Sequence, residues 1–292
     1  VPNWPRIDEA ELLERLALDD DQFAAYVSSL LDALPARPYQ KASLALALGY
    51  PWARPPGSYV LRGAEVSLLA GMRPGERERE IGSFTASGGG RVPLLAIGSN
   101  AAPEILKRKF GHFPEAADRA ALVLTGRLHG FDVGVAAQPA LYGSMPATLF
   151  PSPGTGVSAS VLWVTPAQFT QLVWSEISYR LGALRARFEV EETDTALEEV
   201  LVFVSRFGSF CVNGETVALE AVPATARRAR SLTQEQMLDA AAALALGPGA
   251  GAETLVQAIF EDPASLAPRL AETVNRASQP FRSDLWTPFG GG

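Results

Sequence analysis

Two segments of this chain carry residues whose types and spacing suit chemistry. The first runs from Thr165 to Glu176. Thr165 is placed to cap a helix, Pro166 suits the first helical position, and Gln168 completes a capping box. The apolar stripe Phe169, Leu172, Val173 leads, one step on, to Glu176. A carboxylate therefore falls on the face that should turn inward, near a helix C-terminus, where the macrodipole disfavours negative charge. Both effects should raise its pKa, as an acid–base group requires. The alternative is a helix that ends a residue early and turns Glu176 outward. The second segment is Gly98-Ser99-Asn100, between a short apolar strand and a short helix. Glycine allows close backbone approach, and the N–H groups that follow would suit an anion or a carbonyl oxygen. The alternative is an ordinary strand–helix turn in which Asn100 is the helix cap.

The elements around them set the architecture. Residues 7–34 have helical periodicity, and a second helical piece near 39–48 follows Pro35 and Pro38. A Pro/Gly-rich passage from Pro51 to Gly57 interrupts, and a strand is expected near Tyr59-Val60-Leu61. Ser87-Gly88-Gly89-Gly90 reads as a flexible joint. After the 91–97 strand and a helix marked by Pro103 and Glu104, strands are expected over 120–127, 130–136, 146–150 and 158–164. The 166–176 helix follows, then strands at 184–191 and 199–205. A hairpin at 209–219 turns on Asn213-Gly214. Residues 225–260 read as helical and 261–292 as an extended tail. Many strands with few helices between them indicate an α+β domain or a small barrel.

Composition narrows the function. The chain has 292 residues, 47% of them apolar and 20% charged, which suits a globular protein with a substantial core. A formal net charge of −7 argues against a nucleic-acid partner. Arg227, Arg228 and Arg230 read as a solvated helix face. With one cysteine, no internal disulfide is possible, and Cys211 reads as an inert, buried thiol. Two histidines, His112 and His129, and one cysteine in separate segments make no zinc constellation and no serine-hydrolase triad. Asp19-Asp20-Asp21 reads as a solvated turn. No apolar run is long enough for a membrane span and no apolar signal core opens the chain, so the expected setting is cytoplasmic, without membrane contact.

Five short motifs in order resemble the γ-glutamyl cyclotransferase family over about residues 92–222. They are Leu94-Leu95-Ala96-Ile97-Gly98-Ser99-Asn100, then Gly143, then Ala147-Thr148-Leu149 with Pro151-Ser152-Pro153-Gly154. Next come Val161-Leu162-Trp163-Val164 and the following helix, and finally Glu176 with Tyr179. The resemblance implies a small mixed β-barrel with flanking helices, occupying residues 91–225. Residues 1–90 would then be a mainly helical N-terminal extension, and 226–292 a helical segment and tail packed on the barrel. It also implies that Gly98, Ser99 and Asn100 hold a γ-glutamyl or related amide substrate and that Glu176 is the general acid/base. The product would be 5-oxoproline, with no metal or organic cofactor. Ile97 stands where the family has tyrosine, Tyr142 is a candidate to supply the missing hydroxyl, and Ile97, Tyr142 and Tyr179 join the expected substrate-binding set.

Three readings follow. The first is cyclotransferase chemistry by intramolecular amine attack. The second is an amidohydrolase in which the same Glu activates water. The third is a non-catalytic binding or scaffold module, in which Glu176 would be exposed or held in a salt bridge. The apolar tail residues Phe281, Leu285, Trp286 and Phe289 offer a surface for a homo-oligomer.

Overall fold

The computed structural model of the chain describes residues 9–33, 43–86, 90–193 and 195–290. The first three residues of the Ser87–Gly90 joint, and residues 39–42 of the second helical piece, lie outside them.

The expected 7–34 helix is two helices, α1 (Ala10–Ala17) and α2 (Asp20–Asp32). Asp19 divides them. Its side chain accepts from Gln22 N, and Gln22 bonds back to Asp19 N, so the acidic run is an N-cap and first turn. α3 (Leu44–Leu48) is capped by Ser43. The strand expected near 59–61 is a hairpin, β1 (Tyr59–Arg62) with β2 (Glu65–Leu68), and α4 (Pro74–Thr85) follows. Next come β3 (Val92–Ala96) and α5 (Pro103–Phe110).

The four strands expected between 120 and 164 are two long ones, β4 (Ala120–Val135) and β5 (Ala147–Val164). They pair along their length, with a bulge at His129–Phe131. Pro151–Gly154 does not turn the chain back. It lies inside β5, with Gly154 at φ 85°, and bends a strand that continues. α6 (Pro166–Ser175) leads into β6 (Tyr179–Leu184). The strand expected at 184–191 is thus replaced by β6 and the separate β7 (Phe188–Val190), followed by β8 (Ala196–Leu197) and β9 (Val200–Ser205).

The expected hairpin forms between β10 (Ser209–Val212) and β11 (Glu215–Thr216). Asn213 and Gly214 both have positive φ, 54° and 81°, which matches the right-handed strand twist. Short strands β12 (Ala218–Leu219), β13 (Ala224–Thr225) and β14 (Ser231–Leu232) occupy the start of the segment read as helical, which begins only at α7 (Gln234–Leu246) and continues in α8 (Ala252–Glu261). The tail is not simply extended. Asp262 caps α9 (Pro263–Glu272), and β15 (Ser278–Gln279) and β16 (Trp286–Pro288) follow.

The main sheet runs β16-β6-β9-β3-β5-β4-β1-β2. Only its β3–β9 pair is parallel, so the architecture is α+β with one large mixed sheet. The expected barrel is not closed: among the described residues no ladder joins β2 to β16. Flanking segments occupy positions next to its inner strands. The β1–β2 hairpin, before residue 90, takes the free edge of β4, and β16, from the tail, takes that of β6.

Both faces of the sheet are buried, which explains why its strands read as near-continuous apolar runs. Along β9, Val200, Val202 and Val204 enter one core while Leu201 and Phe203 enter the other. The first core also takes α3, α7, α8 and α9; the second takes Leu12 of α1, with α5 and α6. Phe281 and Trp286 of the tail pack against the first core, and Phe289 against the second; Leu285 is exposed. Gly182 is required there, because a Cβ would lie 2.0 Å from Trp286 Nε1. No described helix is long and apolar enough to cross a membrane.

Arg227 does not belong to a solvated helix face. It lies in the loop after β13, and its guanidinium makes two bonds, 2.9 and 2.8 Å, to Asp132, which is fully buried. Cys211 is half-buried rather than buried, with Sγ 3.6 Å from the Ser209 carbonyl and from Thr216 Oγ1.

Candidate functional site

α6 is fixed at its start. The Thr165–Gln168 capping box forms, and Gln168, fully buried, donates from Nε2 to the Asp118 and Ala120 carbonyls. Phe169, Leu172 and Val173 bury the expected stripe. The helix does end a residue early, at Ser175. Glu176 is its C-cap, with φ −104°, ψ 42° and its N–H on the Leu172 and Val173 carbonyls. The side chain nonetheless stays inside, 16% exposed. The early end therefore re-aims the carboxylate without releasing it to solvent. Tyr179 N then bonds to Glu176 O, tying the start of β6 to the same turn.

The carboxylate meets the 98–100 loop across 76 residues of sequence. Asn100 Nδ2 donates to Glu176 Oε1 at 2.9 Å. Lys109, on the last turn of α5, brings its ammonium 3.3 Å from the same oxygen and 2.8 Å from both Asn100 Oδ1 and Ser175 Oγ. Glu176 Oε2 bonds to no described residue. Asn100 is thus not the helix cap: α5 starts from Ala102 with no side-chain cap, and the asparagine is spent on Glu176 and Lys109.

The loop itself is tight. Gly98 has φ −116°, ψ −139°, and Ser99–Ala101 form one 3-10 turn, with Ala101 N on Gly98 O and Ala102 N on Ser99 O. Those two N–H groups are therefore satisfied within the loop and do not await a ligand. The glycine admits a protein group: a Cβ there would lie 2.3 Å from Tyr50 Oη. That hydroxyl accepts from Ala147 N at 2.7 Å. Burial, ahead of all other causes, pushes the Tyr50 pKa up to about 12. Burial likewise holds Tyr179 well above its usual range; its hydroxyl donates to Ala147 O at 2.9 Å.

Ile97 points into the core, 6% exposed, and contributes only its carbonyl to the site. Arg54 Nη2 donates to that carbonyl at 3.0 Å and to Gly98 O at 2.8 Å. Tyr142 stacks on Tyr50 with ring centroids 6.4 Å apart, and Trp52 packs against both rings. The hydroxyl over the loop is therefore Tyr50's, with Tyr142 behind it.

The structure thus brings together Glu176, Asn100, Tyr179 and the Gly98–Ser99 backbone, with Ile97 only behind them. Tyr50, Arg54 and Lys109 were missed from the sequence. Lys109 sits nine residues beyond Asn100 in a basic helix end, a pattern that dipole compensation alone accounts for. Tyr50 and Arg54 lie in or beside a Pro/Gly-rich passage whose composition signals only the end of a helix.

No family model matches the chain, and no curated protein does. Among solved structures, it is similar to a protein from Arabidopsis thaliana determined in solution. That pair has 17% identity and a TM-score of 0.32, covering 42% of this chain and 73% of that one. A structure titled gamma-glutamyl cyclotransferase matches at 15% identity and a TM-score of 0.31, covering 66% and 91%. An uncharacterized protein from Homo sapiens matches at 14% and 0.29, with the same coverage. Likeness this distant assigns no residue and no activity; the solved structures similar to this chain do include a gamma-glutamyl cyclotransferase.

Proposed function

We propose that the chain is a γ-glutamyl cyclotransferase-like enzyme with Glu176 as its general acid/base. Glu176 Oε2 takes a proton from the substrate's α-amine. The amine nitrogen attacks the γ-carbonyl carbon, a ring C–N bond forms, and the amide C–N bond breaks. The proton passes from Glu176 to the leaving amine, giving 5-oxoproline and a free amine. Because the attack is intramolecular, positioning supplies much of the rate. Proton transfer through a placed carboxylate contributes ~10² to 10⁴-fold.

The observation that carries this reading is the state of Glu176. One oxygen is oriented by Asn100 of the loop and by Lys109, and the other has no partner among the described residues. The unpartnered oxygen is thus the one a substrate amine would meet. The ordered motifs of the sequence support the same reading. A non-catalytic module is favoured by a different observation, the Lys109 ion pair together with the Tyr50 hydroxyl resting on the loop.

The test is product identification on a panel of γ-glutamyl amines and γ-glutamyl dipeptides. Release of 5-oxoproline supports the proposal. Release of free glutamate instead would make Glu176 a water-activating base. No turnover of any substrate would favour the module.

A further inference from the structure

Arg54 is an unusual cation. The side chain is half-buried, its Nε is fully shielded, and desolvation, the largest influence on it, lowers its pKa. Yet no carboxylate lies within ion-pair distance among the described residues. Its two bonds, both from Nη2, go to neutral carbonyls, those of Ile97 and Gly98. Nε is buried with no hydrogen-bond partner, and Nη1 bonds to no described residue. Its neighbours in charge are two tyrosines, Tyr50 and Tyr59, both neutral because burial raises them. A guanidinium partly withdrawn from water without a counter-ion is disfavoured, and an anionic ligand relieves that cost.

The place of this cation in the site gives it a use. Arg54 grips the carbonyl of Gly98, and two residues on, Asn100 grips Glu176. Tyr50, whose hydroxyl touches the loop, feels the charge of both Arg54 and Glu176. The loop therefore carries a positive fork at one end and the acid/base carboxylate at the other. Arg is the side chain whose planar fork matches a carboxylate.

We propose that Arg54 is the carboxylate clamp of this site, binding the α-carboxylate of an amino-acid-like substrate whose reacting end faces Glu176. The inference rests on the functional reading above and deepens it: the segment before the sheet supplies the residue that recognises the α-carboxylate.

The experiment is calorimetric titration with two probes, 5-oxoproline and 2-pyrrolidinone, which share the lactam ring and differ in the carboxylate. It is run on the wild type, on Glu176→Gln, on Arg54→Met and on Arg54→Lys. A charged hydrogen bond contributes enough for about a 10-fold preference for 5-oxoproline in the first two proteins. Arg54→Met should lose that preference, and Arg54→Lys should recover part of it with the charge restored. If Arg54→Met is poorly folded by its melting curve, the drop from Arg to Lys decides. Equal binding of both probes by the wild type, binding of neither, or an undiminished preference in the Arg54 variants would overturn the clamp. Because binding is read without turnover, a clamp that persists in a protein releasing no 5-oxoproline sinks the catalytic reading alone. Turnover without discrimination sinks the clamp alone.

Discussion

Among the described residues, two ion pairs are shielded on both sides, and they are built to opposite specifications. Asp132 and Arg227 meet through two parallel bonds, and most of the remaining groups are engaged: Asp132 also accepts from Val133 N, and Arg227 donates to Val222 O and Ser231 Oγ. Glu176 and Lys109 meet once, at 3.3 Å, and the ammonium is shared with Asn100 and Ser175 while one carboxylate oxygen has no partner among the described residues. The first pair pins the loop after β13 to the last third of β4, with both carboxylate oxygens bonded. The second keeps capacity in reserve at the junction of a helix end, a loop and a strand. An extensively bonded pair is a structural device, whereas one with an oxygen left over beside Gly98–Asn100 fits the proton exchange proposed above.

The sharpest way to break this contrast is to remove one member of each pair. Asp132→Ala leaves a guanidinium at the sheet without its counter-ion, and should cost about 3–5 kcal/mol in denaturant unfolding. Lys109→Met removes a singly bonded, shared partner. Its effect on unfolding should be smaller, about 1 kcal/mol, while 5-oxoproline release falls about 10-fold as Glu176 loses its orientation. Equal stability losses for the two variants would erase the distinction.

Sequence and structure agree best where local chemistry decides. The capping box of α6, the Asn213-Gly214 turn and the stripe leading to Glu176 are all local signals, and all are present in the structure. Sequence and structure part where a bend resembles a turn: Pro151–Gly154 has turn composition, yet pairing between β4 and β5 carries the strand through it. The buried role of Arg227 was invisible because its partner lies 95 residues away. The same holds for the site. Glu176 and Gly98–Asn100 stand out by type and position, whereas Tyr50, Arg54 and Lys109 acquire meaning only when the sheet brings three segments together.

A subtler contrast concerns Tyr50, the neutral neighbour of the open pair. Its folded pKa lies above its unfolded value near 10, at about 12. The group's stabilising contribution is therefore fully present below about pH 10 and is lost as pH rises through 12. Tyr50→Phe should make the alkaline fall in stability between these values shallower, as read by melting temperature against pH. An unchanged slope would mean that this hydroxyl is not held neutral by the fold.

The central claim is that Glu176 is the proton-transferring group. The most direct measurement is 5-oxoproline release by Glu176→Gln beside the wild type, with melting curves of both. The account expects turnover to fall by about 10² to 10⁴-fold with the fold retained, since the amide can still accept from Asn100. Full activity in the variant, or a variant that no longer folds, would contradict it.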